Sequence, residues 1–194
     1  MKKLFLLTFF TLFSLCLTAQ TEKGNWFFGA DTSLGFTSSN AQAESDGKEV
    51  GDKTTVSKFS FRPNVNYFVM DNLSVGLGVQ FDSTTEKDGS DSDTVSTTAI
   101  LPGVKYFFNS GNSFVPYVGV GAGLIYVSAG DYYEEKYSGF AFGANGGFAY
   151  FVNESVSLNV GLTYLNSNMK NKKESSYVVK SGAFGVTVGF GIFL

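Results

Sequence analysis

Residues 182–194 read G-A-F-G-V-T-V-G-F-G-I-F-L. Phe184, Val186, Val188, Phe190, Ile192 and Leu194 recur at every second position, and Gly185, Thr187, Gly189, Gly191 and Phe193 fill the places between them. Side chains of a strand alternate between its two faces, so this strand has one continuous apolar face and one nearly bare face. A strand in a soluble protein buries its apolar face under a second layer. No helical segment follows this one in the sequence to provide such a layer. Hydrocarbon is the remaining cover, and strands satisfy their backbone groups in hydrocarbon only as a closed barrel.

The same alternation recurs upstream. Strands are expected at 25–36, 58–69, 73–82, 97–108, 114–127, 139–152 and 156–165, which with 182–194 makes eight. Their apolar faces carry, for example, Trp26 and Phe28, Phe59 and Phe61, Leu77 and Val79, Val118 and Val120, and Val160 and Leu162. Connections alternate between short turns at 70–72, 109–112 and 153–155 and longer polar loops at 37–57, 83–93, 128–137 and 166–176. Each strand reaches the roughly 9–11 residues that cross a bilayer when tilted, and an even count with short turns at one rim is the outer-membrane pattern. The expected fold is therefore all-β, an eight-stranded antiparallel up-and-down transmembrane β-barrel. Trp26, Tyr67, Tyr106 and Tyr150 near the short-turn rim, and Phe36, Phe81, Tyr126 and Tyr164 near the other, fit two interfacial belts. Tyr67–Val75 aligns without a gap on Tyr150–Leu158, a weak hairpin repeat that supports the register. Pro63 and Pro102 fall inside strands, where a missing N–H breaks the ladder, so a bulge is expected at each.

The amino terminus has the layout of a secretory signal peptide: Lys2 and Lys3, an apolar run from Leu4 to Leu17, then the small Ala19. The run is shorter than the ~20 residues of a membrane helix. The domain organisation expected is a signal peptide over 1–19 and a barrel domain over 20–194. Cys16, the one cysteine, lies in the leader as apolar filler, so no intrachain disulfide forms. A net charge of -3 without a basic block gives no reason to expect a nucleic-acid partner. The chain has no histidine, which removes every catalytic arrangement built on an imidazole base and zinc sites of the Cys/His type. No enzymatic activity, cofactor or metal is expected.

Past the strand starts, Asp31, Arg62, Asp82 and Lys105 are the charges within the expected strands, and all four fall on the face opposite the apolar one. A basic residue on the lipid face near mid-bilayer costs roughly 2–4 kcal/mol, so this placement orients the sheet with its polar face inward. Two acids and two bases are expected to pair in a lumen network with Asn64, Asn66 and Gln80. The loop after the third strand carries Glu86, Asp88, Asp91 and Asp93. Such oxygen ligands suit a divalent ion, but D-G-S-D-S-D is not the order of a known calcium loop, and a solvated acidic loop is the plainer expectation. Gly119-Val120-Gly121-Ala122-Gly123 lacks the spacing and the following helix of a phosphate-binding turn.

With eight alternating strands, a leader, the turn at Tyr67–Gly76 and an apolar final strand, the chain resembles the small outer-membrane barrels. These include the outer membrane protein A and outer membrane protein X types and the porin-family barrel domain. The resemblance covers about 24–194 and rests on pattern more than on a motif. It implies location in the outer membrane of a diderm bacterium, contact with outer-membrane lipid and lipopolysaccharide, and insertion by the barrel assembly machinery. That machinery favours an aromatic last residue, and here Leu194 stands in its place. The expected function is a non-enzymatic, structural or surface-interacting barrel with a lumen plugged by polar side chains. A surface ligand is left unspecified. The alternative is a narrow channel for small solutes, suggested by the many glycines of the inner face.

Overall fold

The computed structural model describes residues 21–33, 39–45, 48–88, 91–109, 111–130, 135–172 and 178–194. The expected leader with Cys16 lies outside them, as does Phe36 of the expected belt. Nine strands run through the described residues: β1 Trp26–Ser33, β2 Ser39–Ser45, β3 Lys48–Met70, β4 Leu73–Asp88, β5 Asp91–Phe107, β6 Phe114–Ala129, β7 Glu135–Phe151, β8 Val156–Asn171 and β9 Val178–Phe193. Every neighbouring pair is antiparallel. β1 pairs with β9 on one side and with the inner half of β3 on the other, so the sheet closes on itself. β2 pairs with the outer half of β3 and continues the line of β1, leaving eight staves. At the seam, Trp26 N donates to Leu194 O at 2.7 Å and Leu194 N donates to Trp26 O at 2.9 Å.

The barrel is apolar outside. Phe28, Leu77, Val120, Phe148, Leu162, Phe184 and Phe190 all face outward and are exposed, Phe184 by 69%. A continuous apolar belt of this kind is far larger than the patches a soluble monomer shows, and alternation of the two faces is regular along β6 and β8.

The staves are longer than expected. Most of the segments read as loops at 83–93 and 166–176 belong to the β4–β5 and β8–β9 ladders, and β3 already begins at Lys48. Beyond the bilayer both faces of a hairpin meet water, so the alternation that marks a membrane strand disappears while Thr and Val still favour extended backbone. Thr94-Val95-Ser96-Thr97-Thr98 in β5 is such a stretch.

No bulge forms at either proline. The β3–β4 ladder lapses between Phe61↔Phe81 and Asn64↔Gly78 and resumes in the same register, and β5–β6 does the same between Ile100↔Leu124 and Gly103↔Gly121. Each proline keeps its pairing on its other side, Pro63 with Ala30 and Pro102 with Leu77. Losing one N–H is absorbed by a short lapse in one ladder, without inserting a residue.

The short turns are fixed by local chemistry. Asn72 takes the left-handed conformation that asparagine tolerates, at φ 67°. Asn153 Oδ1 accepts from Ser155 N at 2.9 Å and Val156 N at 2.8 Å. Residues 21–24 lie against two of these turns. Thr21 Oγ1 donates to Asn72 Oδ1 at 2.6 Å and accepts from Asn109 Nδ2 at 3.0 Å, while Asn72 N donates to Thr21 O at 2.7 Å.

The barrel lumen as candidate functional site

The inner faces of the strands form three tiers. At the short-turn end, Phe27, Phe68, Phe107, Phe151 and Phe193 point inward and meet across the lumen. Phe27, Phe68 and Phe107 are at most 1% exposed. Their rings lie 4.7 Å (Phe27–Phe193), 4.9 Å (Phe151–Phe193), 5.6 Å (Phe68–Phe107) and 5.7 Å (Phe27–Phe107) apart between centroids. These distances are those of favourable aromatic pairs. The layer depends on a missing side chain: a Cβ at Gly191 would collide with the Phe27 ring.

This tier was not foreseen from the inner-face polar residues, yet the sequence carries a signal for it. Trp26-Phe27, Tyr67-Phe68, Tyr106-Phe107 and Tyr150-Phe151 are aromatic doublets, each at the turn end of a strand. Alternation sends one ring of every doublet outward to the interface and the other into the lumen. The outward members, Trp26, Tyr67, Tyr106 and Tyr150, are 37–51% exposed.

The charged tier lies above. Arg62 Nη2 donates to Asp82 Oδ1 at 3.3 Å, Gln80 Nε2 donates to Asp82 Oδ2, and Asn66 Nδ2 donates to Asn64 Oδ1 at 2.9 Å. Arg62–Asp82 is the one ion pair among the described residues. Lys105 is 92% buried, with an exposure of 8%, and rests on aromatic faces instead. Its Nζ stands 4.9 Å from the Phe27 ring, 5.0 Å from Tyr117 and 6.0 Å from Phe107, within cation–π reach. Asp31 is the cross-strand partner of Arg62, but its buried Oδ1 has no hydrogen-bond partner; neither do Arg62 Nε and Nη1. Asp31 and Arg62 line a cavity of about 130 Å³ together with Asn64, Gln80 and Lys105, and Asp31 Oδ1 lies over Gly189 of β9.

The uppermost tier is apolar on the β5–β8 side, where Ala99, Ile125, Ala141 and Met169 are 0–6% exposed.

The acidic residues of the expected divalent-ion loop lie outside the lumen, in the outer part of the β4–β5 hairpin. Glu86 stands opposite Asp93 and Asp88 opposite Asp91. Among the described residues no cluster of three or more acidic or thiol side chains is placed to hold a metal ion.

A family described as the outer membrane protein beta-barrel domain matches residues 6–191. Among solved structures, the fold is similar to that of the outer membrane protein OprG from Pseudomonas aeruginosa, with a TM-score of 0.59 and 18% identity over 91% of this chain and 99% of that one. It is also similar to Neisserial surface protein A (TM-score 0.55, 20% identity, 88% of this chain and 99% of that one). A third similar structure is the N-terminal β-barrel domain of Pseudomonas aeruginosa OprF (TM-score 0.51, 13% identity, 89% and 98%). No curated protein matches the sequence significantly.

Proposed function

The chain belongs to the outer membrane protein beta-barrel domain family, a resident of the Gram-negative outer membrane, and from that premise we propose that it is a non-enzymatic barrel whose lumen does not conduct. The observation that carries this reading is the phenylalanine tier. Five rings from β1, β3, β5, β7 and β9 pack against one another across the short-turn end, three of them with essentially no exposure. An eight-stranded barrel has an interior just wide enough for side chains to fill, and here hydrocarbon fills it at the periplasmic mouth. The lumen offers no imidazole to activate a nucleophile, since the sequence contains none.

The work of such a protein is then done by its surfaces. The outward apolar belt holds it in lipid, and the hairpins of the long-loop rim stand where lipopolysaccharide and extracellular ligands are met. Insertion by the barrel assembly machinery and contact between the acidic β4–β5 hairpin and lipopolysaccharide through divalent ions belong to the same reading. Planar-bilayer recordings on the refolded, leaderless chain are expected to be silent. Stable, reproducible unitary currents would refute it and favour a narrow channel, a second reading whose support is the cavity of about 130 Å³ beneath the upper tier.

A further inference from the structure

We propose that the charged tier is a binding site for a small zwitterion, a solute bearing an ammonium and a carboxylate on a short frame. Glycine leaves room for the chamber at Gly78. Gly78, Gly103, Gly121 and Gly143 all border it, and at Gly78 an added Cβ would find no atom nearer than 3.7 Å. At about 130 Å³ the space equals on the order of four waters at ~30 Å³ each, enough for a molecule of a few heavy atoms.

Its polar lining is incomplete in a specific way. Arg62 presents two buried donors, Nε and Nη1, that nothing accepts, and Asp31 presents a buried acceptor, Oδ1, that nothing donates to. Arg62 and Asp31 are cross-strand partners in the β1–β3 ladder, yet Arg62 turns to Asp82 on β4 while Asp31 Oδ1 lies over Gly189 on β9, and both residues line the cavity. Buried polar groups left without partners are costly. Asp31, Asp82, Arg62 and Lys105 are formally neutral as a set. A lone anion would sit beside the Asp31 carboxylate, and a lone cation beside Arg62 and Lys105, so either would add uncompensated charge to a low-dielectric site. A zwitterion gives its carboxylate to Arg62 and its ammonium to Asp31 and adds none.

Access is from the long-loop side. Arg62 and Asp82 keep 18% and 30% side-chain exposure, and Asp82 is the farther of the two from the short turns, whereas Lys105 next to the phenylalanine tier is 8% exposed. The inference deepens the reading of a lumen closed at its base: solute enters and leaves by one mouth and is held, not passed.

The test is an NMR titration of the refolded, leaderless chain in detergent micelles, with glycine, acetate and methylammonium added separately. Glycine is expected to shift the amides of Gly78, Gly103, Gly121 and Gly143 saturably, with acetate and methylammonium at least about tenfold weaker, the usual scale of one lost charge-assisted hydrogen bond. Asp31→Asn and Arg62→Gln should each weaken glycine by a similar factor. Gly78→Leu, which fills the chamber and touches no charge, should abolish the saturable shifts while leaving the rest of the spectrum in place. It keeps the test valid if either charge variant fails to refold. Glycine shifts that do not saturate, that acetate reproduces at equal concentration, or that survive Gly78→Leu would overturn the proposal; bound water alone gives the first of these. Silent bilayers without glycine binding would sink this inference and spare the closed lumen. Currents together with saturable binding would do the reverse.

Discussion

Replacing Phe107 with alanine tests whether the phenylalanine tier holds the barrel together. Phe107 is 1% exposed and its ring has four aromatic neighbours, Phe27, Phe68, Tyr117 and Phe193, at 5.6–5.8 Å. Removing a buried phenylalanine costs about 3–5 kcal/mol, more where the surroundings cannot close over the void. Here they cannot: the neighbours belong to β1, β3, β6 and β9, whose backbones are fixed by ladders on both sides. Lys105 also loses a ring 6.0 Å from its Nζ, a contact of about 0.5–2 kcal/mol. The expected loss is therefore about 4 kcal/mol or more, with Phe107→Leu well below it because most of the volume stays. The measurement is reversible denaturant unfolding from lipid vesicles, followed by tryptophan fluorescence of Trp26. A loss under about 1 kcal/mol for Phe107→Ala, the size of an ordinary surface change, would show that the rings merely occupy the mouth without supporting it.

Other expectations follow from the same structure. Val120→Arg, on the outward face, should lower stability by roughly 2–4 kcal/mol in bilayers and reduce the folded fraction on heat-modifiability gels. Gly191→Val should displace Phe27, because even a Cβ there meets its ring, and cost about 1–3 kcal/mol as overpacking does, seen as a lower denaturation midpoint. Thr21→Val removes two side-chain hydrogen bonds to Asn72 and Asn109; a loss of about 1–3 kcal/mol should appear as faster hydrogen exchange at both turns, with the outer hairpins unchanged. Phe107→Ala combined with Phe193→Ala opens the tier, and bilayer recordings should then show brief currents that the parent lacks.

What could be read from the sequence was what two solvents impose. Where one face of a strand meets lipid and the other the lumen, the period of two is unavoidable, so residues 73–82, 114–127 and 182–194 were legible as staves with their faces assigned. The extensions of β3, β4 and β8 were not, since water on both faces erases the period while the ladder continues. Side-chain reach is not a pattern property either. Alternation puts Asp31, Arg62, Asp82 and Lys105 on one face, but whether Arg62 turns to Asp31 or to Asp82, and whether Lys105 meets a carboxylate or three aromatic rings, depends on ångström-scale spacing around a closed wall. The aromatic doublets were visible as letters; their inner halves acquire meaning only once five strands converge.

In the orientation proposed above, the β4–β5 hairpin stands on the outer side of the membrane. Its arms of 16 and 17 residues are ~55 Å long at ~3.4 Å per residue, or ~40 Å tall at a tilt near 40°, against an apolar band of ~25 Å. The surplus is hydrogen-bonded ribbon, not slack chain. An antibody or a phage fibre arriving from outside would touch a stiff blade already in its final shape, and would forfeit little entropy in gripping it.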